Sequence, residues 1–164
     1  KTHHGLIIIA KNDKAHINIS EQIKNRQVEK TYIALVRGNV KENQGIINMP
    51  IARSTKDRKK MAVDKKGKEA ITEFKVLKRY NGYTLLEVKI KTGRTHQIRV
   101  HMDYIGHPVV NDPMYGRRKV INDYGQMLHA QYLGFNHPIT GKFMEFSVPP
   151  EKEFMEILEQ FKNL

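Results

Sequence analysis

The chain has no cysteine, which excludes disulfides, thiolate metal sites and cysteine nucleophiles, and fits a reducing, cytoplasmic setting. It also lacks long apolar runs. The longest, Leu6 to Ala10, is the length of a strand and far short of the ~20 residues needed to cross a bilayer, so neither a membrane span nor a signal peptide is expected. Acidic side chains are scarce as well: 17 Asp and Glu stand against 29 Lys and Arg, a formal net charge of +12. That excess is larger than solubility requires, and a polyanion is the expected partner.

What remains is ordinary globular material, 39% apolar and 28% charged over 164 residues, sized for one domain. The chain opens on Lys1 and not on methionine, which suggests that sequence upstream has been removed. Gly5 to Ala10 reads as a buried β-branched strand. Asp13 is placed to cap a helix whose apolar stripe is Ala15, Ile19 and Ile23. Thr31 to Val36 reads as a second strand and Gly45 to Ile51 as a third, ending near Pro50. From Arg53 to Lys68 runs the densest basic stretch, with too little apolar periodicity for a core element. It is expected to protrude as a loop or hairpin that lies on phosphates.

Residues 71–90 form a hairpin pattern, with Phe74 and Val76 before an Asn81-Gly82 turn and Leu86, Val88 and Ile90 after it. Leu128 to Phe135 and Phe143 to Val148 form another, and Phe154, Ile157, Leu158 and Phe161 recur at helical spacing. Many strands with few helices predict an α+β fold around a mixed, mostly antiparallel sheet.

The stretch "KTGRTHQIRVHMDYIG", residues 91–106, carries the most chemistry. Thr95 as N-cap and Gly106 after the last turn bracket a helix with Ile98, Met102 and Ile105 on its buried stripe. His96 and His101 are five apart, not the four of a zinc-binding helix, and no other ligand spacing exists, so no metal is expected. Gly93-Arg94-Thr95 brings an arginine to a helix N-terminus, an anion-binding arrangement. Arg99 allows two readings, a surface pair with Asp103 or a cation beside the core stripe that needs a carboxylate from elsewhere.

Six blocks, "GLIIIAKND", "KTYIALVRG", "PIARSTKDRKKMAV", "GKEAITEFKVL", "KTGRTHQIRVHMDYIGHPVVNDPMYG" and "MLHAQYLGFNHPITGKFMEF", resemble in order and spacing the RluA-type RNA pseudouridine synthases. The resemblance implies the pseudouridine synthase fold over 1–164, with flanking helices and a central cleft. It implies isomerisation of uridine in ribosomal or transfer RNA by base flipping and aspartate-dependent covalent catalysis, with no cofactor. Tyr32 matches the tyrosine that lies against the target base, and Arg99 the basic residue that pairs with the catalytic aspartate. Arg94 and the segment containing Arg53, Arg58, Lys59, Lys60 and Met61 match positions near RNA. The aspartate itself would fall immediately before Lys1, so the chain is expected to be a monomeric catalytic domain without its nucleophile, inactive as it stands. The competing readings are a non-catalytic RNA-binding module and, more remotely, a metal-dependent hydrolase using the histidines and Asp112.

Overall fold

The computed structural model describes residues 3–164, and the expected junction before Lys1 lies outside them. The described chain forms strands β1 (His4–Gly5), β2 (Glu29–Arg37), β3 (Gln44–Asn48), β4 (Ile51–Arg53), β5 (Met61–Val63), β6 (Ile71–Tyr80), β7 (Tyr83–Ile90), β8 (Leu128–Asn136) and β9 (Phe143–Ser147). Its helices are α1 (Asp13–Lys24), α2 (Gln97–Tyr104) and α3 (Lys152–Glu159). Seven strands make one sheet in the order β1-β8-β2-β7-β6-β3 with β9 also on β8, while β4 and β5 pair apart as a hairpin. Only β1 runs parallel to its neighbour.

β2 lies centrally and is covered on both faces. Ala34 and Val36 join Leu86, Val88, Ile98 and Met102 beneath α2, while Ile33 and Leu35 join Tyr80, Phe154, Ile157 and Leu158 beneath α3. Successive side chains of a strand point to opposite faces, so an unbroken apolar run is what a doubly covered strand requires. A third cluster, Ile51, Ala70, Val100 and Tyr115 with Met61 and Met114 against it, fastens the base of the β4–β5 hairpin to α2. The basic stretch between these two strands therefore protrudes from a fixed base, as expected.

Four local expectations need correcting. Leu6 to Ala10 is not a buried strand: Ile7 and Ile9 are 65% and 77% exposed. β1 pairs with β8 only at His129 and Ala130, because β9 occupies the same edge of β8 from Tyr132 to Asn136. Gly5, at φ 92, turns the chain away, and a Cβ there would meet the Ala130 carbonyl oxygen at 2.2 Å. Asn12, not Asp13, caps α1, its side chain accepting the Ala15 N–H at 2.8 Å. The third strand stops at Asn48, and Ile51 beyond Pro50 belongs to the separate hairpin. Finally, α2 starts one residue late, with His96 and not Thr95 at its cap position, in the left-handed region at φ 56 and without a side-chain cap.

The late start of α2 has a visible cause in Gln97. Its Oε1 accepts from the Thr92 hydroxyl at 2.7 Å and from the Arg94 N–H at 3.0 Å, and its Nε2 donates to the Ile71 carbonyl and the Thr72 hydroxyl. The buried amide pins the segment before the helix onto β6, so the backbone bends where a simple N-cap would have continued it.

Candidate active site

A cleft of about 810 Å³ opens where β2, the end of β7, the start of α2 and the segment 111–126 converge. Tyr32, Arg94 and Arg99 all line it, together with His3 near the start of the described chain. Tyr32 lies beside an irregularity in β8, where Gln131 is the extra residue opposite a β2 that pairs regularly with β7. The register with β8 shifts between Thr31, opposite Tyr132, and Tyr32, opposite Ala130, and such bulges recur next to active sites. Burial pushes its phenol pKa up, so the ring stands as a neutral aromatic surface.

Arg99 is buried, and its partner is Asp112, 13 residues further on. Nε donates to Oδ2 at 2.8 Å and Nη2 to Oδ1 at 2.9 Å, a bidentate geometry that neutralises one edge of the guanidinium. Asp112 is held in turn by the Met114 and Tyr115 N–H groups, both on Oδ1. The Tyr115 ring lies 5.0 Å from the guanidinium carbon, within range of a cation–π contact. Nη1 makes no hydrogen bond among the described residues, and the side chain's remaining 10% exposure belongs to a residue that lines the cleft. Of the two readings of Arg99, the pair with Asp103 is not formed; the core cation with a distant carboxylate is.

Tyr115 ties this pair to the hairpin. Its hydroxyl accepts the Met61 N–H at 2.9 Å and lies 2.8 Å from His96 Nδ1. Burial, then the nearby charge of Arg99, lowers the His96 pKa, and Arg53 on the hairpin adds to the effect. His101, the other histidine of the helix, is fully buried between the Thr72 hydroxyl and the Met49 carbonyl. Among the described residues no group of three or more His, Asp or Glu is placed to hold a metal ion.

Arg94 reaches the cleft; its backbone N–H goes to Gln97 and Nε donates to the Glu69 carbonyl at 2.7 Å, while its Nη groups make no hydrogen bond among the described residues. Arg53, Arg58, Lys59, Lys60 and Met61 sit on the hairpin, outside the main cleft. Tyr115 and Gln97 were not singled out by sequence reasoning, and Asp112 entered only through the metal-dependent hydrolase reading, not as the partner of Arg99. The usable signal was Asp112-Pro113, a turn-forming pair whose carboxylate bonds its own backbone two residues on, near enough in the chain to serve a helix arginine.

Residues 2–104 match the family described as RNA pseudouridylate synthase. The chain is 47% identical over 159 residues to an uncharacterized RNA pseudouridine synthase of Bacillus subtilis, covering 97% of this chain and 52% of that protein. It is 40% identical over 170 residues to the ribosomal large subunit pseudouridine synthase D of Zymomonas mobilis, covering 98% and 52%. Among solved structures, human RNA pseudouridylate synthase domain containing 1 superposes with a TM-score of 0.73 at 27% identity, covering 94% of this chain and 75% of that one. The sheet and cleft are thus a pseudouridine synthase fold, and the chain belongs to the RNA pseudouridylate synthase family, in its RluA-type branch. It spans about half the length of the curated relatives it matches.

Proposed function

We propose that the protein isomerises uridine to pseudouridine in ribosomal or transfer RNA, in the cytoplasm, as a monomer and without a cofactor. The observation that carries this reading is the convergence of Tyr32 with Arg94 and Arg99, which are far from it in sequence, on one cleft in a chain of this family. The uridine is flipped out of the RNA, at a cost of a few kcal/mol of unstacking that basic contacts to the backbone offset. Tyr32 lies against the extruded base. The unpaired edge of the Arg99 guanidinium neutralises an aspartate that attacks covalently. The bond from C1′ to N1 breaks, the uracil turns, and C1′ joins C5; the aspartate's bond to the nucleotide is broken again, which restores its carboxylate, the hydrogen on C5 leaves to solvent and N1 takes one up.

In the family pattern the aspartate precedes Lys1, so residues 1–164 form a catalytic domain that supplies the cleft and the RNA surface but not the nucleophile. The test is tritium release from RNA labelled at uridine C5. The 164-residue chain is expected to release none, and the chain extended by the coding sequence upstream of Lys1 is expected to release it, provided that sequence supplies Asp at the preceding codon. Turnover by the 164 residues alone would refute the placement of the nucleophile. Absence of turnover in the extended chain, with RNA still bound, would leave an RNA-binding module.

A further inference from the structure

A second cleft, about 390 Å³, lies between the basic hairpin and the turn that follows Tyr115. Lys60 stands on the hairpin wall. Its backbone is fixed, because its N–H donates to the Asp57 carbonyl and its carbonyl accepts the Ser54 N–H, both at 2.9 Å. Arg117 stands on the other wall, the second of two consecutive left-handed residues, Gly116 at φ 88 and Arg117 itself at φ 49. Gly116 passes so close to Pro108 that a Cβ would lie 2.4 Å from it. The turn is therefore built around a fixed obstacle, and glycine is the residue that permits it.

Between the two cations sits Asp103, which also lines this cleft. Lys60 and Arg117 both act on its carboxyl through space, opposing the upward push of burial and of Asp112, yet neither makes a side-chain hydrogen bond or ion pair among the described residues. Two cations against one carboxylate leave a net positive cleft with its donors unused. Met114 lines both this cleft and the main one, and Tyr115 joins this cleft to Arg99. A strand whose base occupies the main cleft would cross Met114 into the second.

We infer that this second cleft is a backbone subsite for the RNA strand beside the target uridine, in which Lys60 and Arg117 hold a phosphate and Asp103 accepts a hydrogen bond from a ribose 2′-hydroxyl. The inference rests on the RNA reading above. The cations account for the phosphate, since each neutralised phosphate releases counterions. The carboxylate accounts for the sugar: an ionised Asp can only accept, a phosphate offers it no donor, and the 2′-hydroxyl is the donor that separates RNA from DNA.

Binding does not require the nucleophile, so the 164-residue chain serves for the test. Its affinity for a uridine-containing single strand and for the matching deoxyuridine strand is measured across a salt series. Arg117→Asn removes the charge and keeps a residue that tolerates the left-handed backbone; it should weaken RNA binding about threefold to tenfold and reduce the salt slope by about 0.7. Arg117→Lys should retain both, and Lys60→Gln on the opposite wall should reproduce the loss independently. Asp103→Ala should cut the RNA-to-DNA preference severalfold. Unchanged affinity and slope in Arg117→Asn and Lys60→Gln would overturn the phosphate site, and an unchanged RNA-to-DNA ratio in Asp103→Ala would overturn the sugar contact. If the unaltered chain binds no RNA, the broader reading fails; if it binds RNA and loses it on Arg58→Gln with Lys59→Gln while ignoring Arg117→Asn, only the subsite fails.

Discussion

Arg99 and the basic hairpin are both cationic and both belong to the surface proposed for RNA, but they solve the electrostatic problem in opposite ways. Arg99 is buried, and folding itself supplies its counter-charge through the bidentate contact with Asp112. Arg58 and Lys59 stay exposed on a turn held largely by backbone and Ser54 contacts. A buried charge must be paired to be tolerated at all, whereas an exposed one keeps its solvation and remains available to a phosphate. One cation is committed to position and the others to capture.

Breaking the buried pair gives the largest expected effect. Asp112→Ala leaves an uncompensated guanidinium and should lower unfolding free energy by about 3–5 kcal/mol, measured by denaturant titration. Replacing both members by apolar residues, Arg99→Met with Asp112→Leu, should recover much of that loss, because no stranded charge remains; no recovery would mean that Asp112 acts chiefly through the Met114 and Tyr115 N–H groups.

Next comes the joint between the two regions. Tyr115→Phe leaves the ring over Arg99 but removes the acceptor of the Met61 N–H and the partner of His96. It should cost about 1–3 kcal/mol, with faster hydrogen exchange at Met61 as the local sign. Exchange unaltered at that amide would show that the hairpin is anchored by its apolar base alone.

At the exposed end, Arg58→Gln with Lys59→Gln should change stability by no more than about 0.5 kcal/mol, while reducing the salt slope of single-strand RNA binding by about 0.7 per charge. Equal damage to folding would erase the contrast between the regions.

Smallest is the pH response of the helix joining them. Burial lowers the pKa of His101 from 6.5, and burial with the charge of Arg99 lowers that of His96. The unfolded chain then binds protons that the folded chain refuses, so stability is fully present above about 6.5 and falls on acidification until the lowered folded values are passed. Denaturation midpoints between pH 7.5 and 5 should show that decline, and His101→Gln should flatten it.

How much was readable beforehand varied with the range of the interaction. The β6–β7 hairpin was plain because its Asn81-Gly82 turn and alternating apolar residues are local; Gly82 indeed takes φ 86. The protruding basic arm was plain because a stretch so charged has no core to join. Leu6 to Ala10 misled because an apolar run announces burial without naming a neighbour, and β9 had already taken the edge it needed. Within α2, the buried stripe and the closing Gly106, at φ 86, were legible. The displaced start was not, since Gln97 reaches partners on β6.

By itself the sequence determined the excess of positive charge, the hairpins, the apolar β2 and the family motifs, because composition, turn chemistry and periodicity act over a few residues. Only the tertiary structure decided that Arg99 answers to Asp112, that Tyr115 fastens the hairpin beside it, and that Lys60, Asp103 and Arg117 line one cleft. Those pairings join segments brought together by packing, and charge or hydrogen-bonding capacity written along a chain does not say which partner the fold will present.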